Sequence, residues 1–107
     1  MGLKGRVYME LCYEREYARE LLDNKEYYNL ISYIKTHIND NNAICDMGYC
    51  YYLGIGVRED INQAIELFDL SAKQGNIEAQ ANLGICYFCG DKITQDIEKA
   101  IKLFKEA

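Results

Sequence analysis

Residues 43–71 overlay on residues 79–107 at an offset of 36 positions without a gap, and 11 of the 29 pairs are identical. The identities are Ala43/Ala79, Gly48/Gly84, Cys50/Cys86, Tyr51/Tyr87, Gly54/Gly90, Asp60/Asp96, Ile61/Ile97, Ala64/Ala100, Ile65/Ile101, Leu67/Leu103 and Phe68/Phe104. Met47/Leu83, Tyr52/Phe88 and Val57/Ile93 are conservative pairs. The matches fall mostly on small and apolar positions, as expected of a packing unit that is used twice. A repeat of this period constrains the chain to a stacked array, in which each unit buries its apolar face against its neighbours.

Each unit reads as two helices. The first runs from Ala43 to about Leu53, with Gly48 one turn from Tyr51 and Tyr52. Glycine inside a helix costs about 1 kcal/mol relative to alanine, so its recurrence at Gly84 implies close packing that offsets the cost. Gly54-Ile55-Gly56 ends the helix, since glycine takes positive φ without strain. Asp60 then caps a second helix, with Gln63 three residues on. Ala64, Ile65, Phe68 and Ser71 or Ala72 follow at helical spacing and form one apolar face. Gly75 stops that helix, and Asn39 is expected to act as a left-handed cap at the equivalent place one unit earlier.

Residues 1–42 carry a weaker version of the pattern. Val7–Leu22 suits a helix with Met9, Tyr13 and Tyr17 along one side, and Asp23-Asn24-Lys25 is a turn. Tyr27, Leu30, Ile31, Ile34 and Ile38 trace the apolar face of a second helix. The expected organisation is a divergent N-terminal hairpin over 1–42, a unit over 43–78 and a C-terminally incomplete unit over 79–107. That makes an all-α chain of about three antiparallel pairs, six helices in total. The absence of proline favours helix.

Composition narrows the function classes. A net charge of −5 argues against non-specific binding to nucleic acid, which needs lysine and arginine to displace counterions. No apolar run approaches the roughly 20 residues of a membrane span, and the start MGLKGRVYMEL is not expected to act as a signal peptide. Of the five cysteines, at 12, 45, 50, 86 and 89, at least one would be unpaired in an oxidised monomer. Five free thiols in a reducing, cytoplasmic compartment are the simpler expectation.

The stretch Ala43-x4-Gly48-x2-Tyr51-x2-Gly54-x-Gly56-Val57-x2-Asp60-x3-Ala64-x3-Phe68 resembles the Sel1-like repeat, a relative of the tetratricopeptide repeat with a longer inter-helix loop. Ser71-Ala72-Lys73-Gln74-Gly75-x3-Ala79-Gln80-x2-Leu83-Gly84 resembles that family's junction between repeats. Residues 1–42 are only tetratricopeptide-like, in Ala18-x2-Leu21-x5-Tyr27-x2-Leu30-x3-Ile34. Lys92 departs from the pattern, standing where Gly56 stands one unit earlier, so a different turn is expected there. The cysteines of the family's disulfide-rich branch correspond to Ser71 or Ala72 and Gln80, so those disulfides are not carried over.

The resemblance implies a right-handed α-solenoid, a protein-binding scaffold or adaptor without catalytic residues, and no cofactor or metal. By analogy with tetratricopeptide grooves, a partner protein or peptide would lie along Tyr49, Tyr52 and Leu53, then Ile85, Phe88 and Cys89, joined by Tyr13 and Tyr17. Aromatic side chains are favoured anchors in recognition. The competing reading packs Tyr52 and Phe88 between units. Cys86-x2-Cys89 has a redox or zinc spacing, but Cys50 and Cys86 repeat at an inner position where cysteine serves as a small apolar residue. His37, the lone histidine, has no nucleophile motif to serve. At the C-terminal end, the face of Ala100, Ile101 and Phe104 is expected to stay partly exposed. That allows self-association, or a role as a structural segment of a longer array.

Overall fold

A computed structural model describes residue 21 and residues 23–106. Among them are five helices and no strands: α1 (Tyr27–Thr36), α2 (Asn41–Leu53), α3 (Ile61–Lys73), α4 (Ile77–Cys89) and α5 (Ile97–Glu106). The fold is an all-α solenoid, with α2 packed on α3, α4 on α5, and α4 against α3 across the junction between units. The expected helix over Val7–Leu22, with Tyr13 and Tyr17, lies almost wholly outside the described residues.

The start and stop residues act as their chemistry demands. The Asp60 carboxylate accepts from the Gln63 amide at 3.1 Å, and Asp96 accepts from the Lys99 amide at 3.0 Å. Their own amides donate back to the Tyr51 and Tyr87 carbonyls, both at 2.9 Å, which ties each second helix to its first. Gly54 and Gly90 close α2 and α4 in the left-handed conformation, at φ 68° and 62°.

The N-terminal hairpin departs from expectation at one end. Asn39 does not take a left-handed conformation; Lys25, at φ 60°, is the one non-glycine that does among the described residues. Helix α1 stops earlier, at Thr36. The His37 amide donates to the Ile34 carbonyl, and the His37 and Thr36 side chains turn back on the Tyr33 carbonyl. With those local bonds in place the last turn needs no left-handed residue. Ile38 therefore falls beyond the helix and is exposed, while Leu30, Ile31 and Ile34 are buried as expected.

Two apolar clusters form the core, and α2 belongs to both. It presents Ala43, Met47 and Cys50 backward to Leu30, Ile31 and Ile34 of α1. It presents Cys45 and Tyr52 forward, in the cluster that holds Ala64, Phe68, Ala79, Leu83 and Cys86. Ala79, Leu83 and Cys86 of α4 are the 36-residue equivalents of Ala43, Met47 and Cys50. Each first helix thus shows the same small-x3-Leu/Met-x2-Cys seam to the unit before it.

The recurring glycine is explained by contact. A Cβ on Gly48 would come within 2.8 Å of the Phe68 ring, and one on Gly84 within 2.6 Å of the Phe104 ring. Glycine is what lets each phenylalanine lie flat against its first helix.

Candidate interaction surface

The backbone bonds at the junction between units are held by amide side chains. Asn76 caps α4 by accepting from the Ala79 amide at 2.8 Å. Its own Nδ2 donates to Asn42 Oδ1 at 2.7 Å and Asn41 Oδ1 at 3.0 Å. The buried Ser71 hydroxyl donates to the Asn41 carbonyl at 2.7 Å. A buried polar cluster with its partners in place fixes register between packed elements. Asn76 fills the position of Asp40 one unit earlier, and neutrality is what lets it donate across the junction while capping its own helix.

Lys92 locks the same junction from the other side. Its ammonium donates to the Tyr52 carbonyl at 2.7 Å, pairs with the Glu59 carboxylate and stands 4.9 Å from the centre of the Tyr52 ring. A cation is favourable at a helix C-terminus, where carbonyls lack internal partners. In the second unit the equivalent of Glu59 is Gln95, and its amide donates directly to the Phe88 carbonyl at 2.8 Å. Glutamate cannot donate, so the first unit needs the lysine of the next; glutamine can, so the second unit closes its helix alone. Sequence reasoning registered Lys92 only as a departure from glycine. The paired change, Gly56 to Lys92 and Glu59 to Gln95, was the signal for this lock.

These contacts sort the expected strip residues. Tyr52 is only 6% exposed and belongs to the inter-unit core, in one cluster with Cys86. Its equivalent Phe88 is 39% exposed. Gly48 marks the side of α2 that faces α3; Tyr49 and Leu53 lie about 100° and 140° around the helix from it. Tyr49 is half-buried between the two core clusters, and Leu53 is 45% exposed. Ile85 and Cys89, their equivalents on α4, are both half-buried. The structure therefore brings Tyr49, Leu53, Ile85 and Cys89 onto one side of the two first helices and separates Tyr52 from them. Tyr13 and Tyr17 lie outside the described residues. Sequence reasoning also missed a buried polar pair on this side, Asp46 and its equivalent Asn82, whose Nδ2 reaches Cys45 Sγ at 3.6 Å.

The cysteines divide in the same way. Burial pushes the Cys50 thiol up to about 12, helped by the nearby Asp46 carboxylate, and burial likewise pushes Cys86 up to about 12. Thiols of that kind are protonated at neutral pH and pack as small apolar groups. The expectation of five free thiols fails at Cys45, which is disulfide-bonded, whereas Cys50, Cys86 and Cys89 form no disulfide. Spacing along a chain does not show which thiols folding brings together, so sequence could not single out Cys45. Cys12 lies outside the described residues. Among the described residues no group of three or more His, Cys, Asp or Glu side chains is placed to hold a metal ion, and no helix is long and apolar enough to cross a membrane.

On the opposite side, an open cleft of about 270 Å³ lies over α4 between α3 and α5, lined by Ile65, Glu66, Asp69, Leu83, Tyr87, Lys99 and Leu103. The Lys99 ammonium crosses it to the Tyr87 hydroxyl at 3.3 Å.

The Sel1 repeat family model matches residues 41–76 and 77–107. No curated protein sequence matches the chain. Among solved structures, a Sel1 repeat protein from Oxalobacter formigenes is similar over 83% of this chain, with 28% identity and a TM-score of 0.71. The chain spans 37% of that protein's length. Two consecutive matched units cover more than half of the sequence, their boundaries fall at the caps Asp40 and Asn76, and the chain belongs to the Sel1 repeat family.

Proposed function

We propose that the chain is a protein-interaction module that holds a segment of a partner protein along Tyr49, Leu53, Ile85 and Cys89. Repeats of this family typically mediate protein–protein interaction, and the helical solenoid is a scaffold rather than a catalytic fold type. The observation that carries the finer reading is the pairing of exposed Leu53 with half-buried Tyr49, one turn apart, repeated by Cys89 and Ile85 on the next first helix. Residues four apart share a helix face. Two such faces on parallel first helices make a strip that suits an extended or helical apolar segment. Leu53 is 45% exposed and Ile85 and Cys89 are only half-buried, so part of their apolar surface stays open to solvent. In this reading the chain works without turnover and without a cofactor.

Leu53→Asp and Ile85→Asp test the proposal against capture of partners from the chain's own cells, once circular dichroism shows that both variants keep their helix content. A partner retained by the native chain and lost by both variants supports the strip. A partner bound equally by native and variant chains places recognition elsewhere and rejects it.

A further inference from the structure

The cleft on the side opposite the strip carries a charge that the fold leaves unmatched. Tyr87, Leu83 and Leu103 line it together with Ile65 and Glu66 of α3. Beyond Glu66 and Tyr87 the opening runs on past Asn62, Ile93 and Thr94, with about 570 Å³ of further space. The two parts share Ile65, Glu66 and Tyr87, so they form one open groove rather than a closed pocket.

The charges along this groove are unequally engaged. Asp69 is ion-paired with Lys73 at 2.9 Å. Lys99, from the α5 side, stands 4.5 Å from the centre of the Tyr87 ring and donates to its hydroxyl at 3.3 Å. Glu66 is exposed where the two parts of the groove meet, and it has no ion-pair partner among the described residues. The ring thus already attracts a cation, but the cation that reaches it does not reach the carboxylate. That lysine belongs to this unit alone, since Gln63 holds its place in the first.

We propose that this groove binds a basic segment of a partner protein, with one arginine side chain laid over Tyr87 and paired with Glu66. A guanidinium is planar, stacks on an aromatic face and presents its donors in pairs to a carboxylate. Its aliphatic stem finds apolar surface at Leu83 and Leu103. The arriving arginine makes both contacts where Lys99 makes one. Lys99 is therefore displaced into solvent, which its exposed side chain allows without disturbing α5. In this role Lys99 is an internal competitor that sets the affinity. The open length past Asn62 and Thr94 suits an extended chain, whereas small molecules are mostly enclosed. A net charge of −5 favours the approach of a basic segment. This surface is distinct from the strip of Tyr49, Leu53, Ile85 and Cys89, and neither depends on the other.

The test uses the full chain and the peptide acetyl-Ala-Leu-Arg-Leu-Ala-amide. A second peptide carries citrulline, the neutral isostere, in place of arginine. Titration of the arginine peptide into isotope-labelled chain is expected to shift the amides of Ile65, Glu66, Tyr87 and Leu103 saturably, with a Kd on the order of 1 mM. The citrulline peptide should bind at least about threefold more weakly, and Glu66→Gln should weaken the arginine peptide by a similar factor. Lys99→Ala should tighten it about threefold, by freeing the ring. Both are exposed helix positions, and circular dichroism verifies that the variants stay folded. Glu78→Gln and Lys105→Ala make the same changes of net charge outside the groove, and should leave the affinity unchanged at physiological salt. No saturable shift below about 10 mM, shifts confined to other residues, or equal binding of the two peptides would overturn the proposal. So would Lys99→Ala that fails to tighten binding, or charge controls that act as strongly as the groove variants.

Discussion

Helices α3 and α5 carry the same apolar residues at the same positions, and they live in different surroundings. Ala64, Ile65 and Phe68 lie under α4, whereas among Ala100, Ile101 and Phe104 only the alanine is fully buried. Both phenylalanines touch a glycine of their own unit, so the contact within the unit is shared. What differs is the presence of a following first helix. Burial in this fold is thus conferred by the next unit as much as by the residue itself, which is the nearest-neighbour logic of a linear array.

Substitutions at equivalent positions are the direct way to break that comparison. Phe68→Ala should cost about 3–5 kcal/mol, the range for a fully buried phenylalanine that leaves a cavity. Phe104→Ala should cost less than half as much, since solvent already reaches its ring. Equal costs in urea unfolding would show that the following unit contributes little.

The buried thiols sharpen the comparison by being alike in both units. Cys50 and Cys86 are held protonated up to about pH 12 when folded, against 9.0 for a free thiol. The unfolded chain therefore ionises first as pH rises. Stability should be fully present below pH 9 and fall from there toward pH 12, by ~1.4 kcal/mol per pH unit for each thiol. Cys50→Ala and Cys86→Ala should each remove one share of that slope. Alkaline melts with the native slope in both variants would contradict the burial of the two sulfurs.

Lys92 links the units, and Lys92→Ala should cost about 1–2 kcal/mol through the lost helix-end hydrogen bond and ring contact. Its surface pairing with Glu59 adds little at physiological salt. The same change should broaden the unfolding transition, because a weaker junction lets the units unfold separately. A sharp transition at unchanged midpoint would remove Lys92 from the junction. The smallest effect is expected for Ile101→Lys, within about 0.5 kcal/mol as for other exposed sites. Ile65→Lys, at the covered equivalent, should cost several times more in the same melts.

Much of this architecture is legible in the amino-acid sequence itself. The 36-residue offset, the Asp60 and Asp96 caps, the Gly54 and Gly90 stops and the close packing at Gly48 are local or periodic, and sequence encodes such features directly. Two kinds of feature are not legible there. One is the direction each side of a first helix faces: helical spacing groups Tyr49 with Tyr52 and Leu53, and only packing shows that Tyr52 turns into the junction. The other is pairing at a distance, as in the Lys92 lock, the Asn76 bridge to Asn41 and Asn42, and the disulfide at Cys45. Asn39 fails as a cap for a third reason, since competing side-chain bonds at Thr36 and His37 end α1 first.

Hydrogen exchange of the backbone amides, read by mass spectrometry on the native chain, tests most directly whether a following unit confers stability on the one before it. Peptides covering α3 should exchange only through global unfolding, and those covering α5 at least about tenfold faster through local opening. Equal protection of the two helices would contradict the claim, because each unit would then hold its second helix without help from the next.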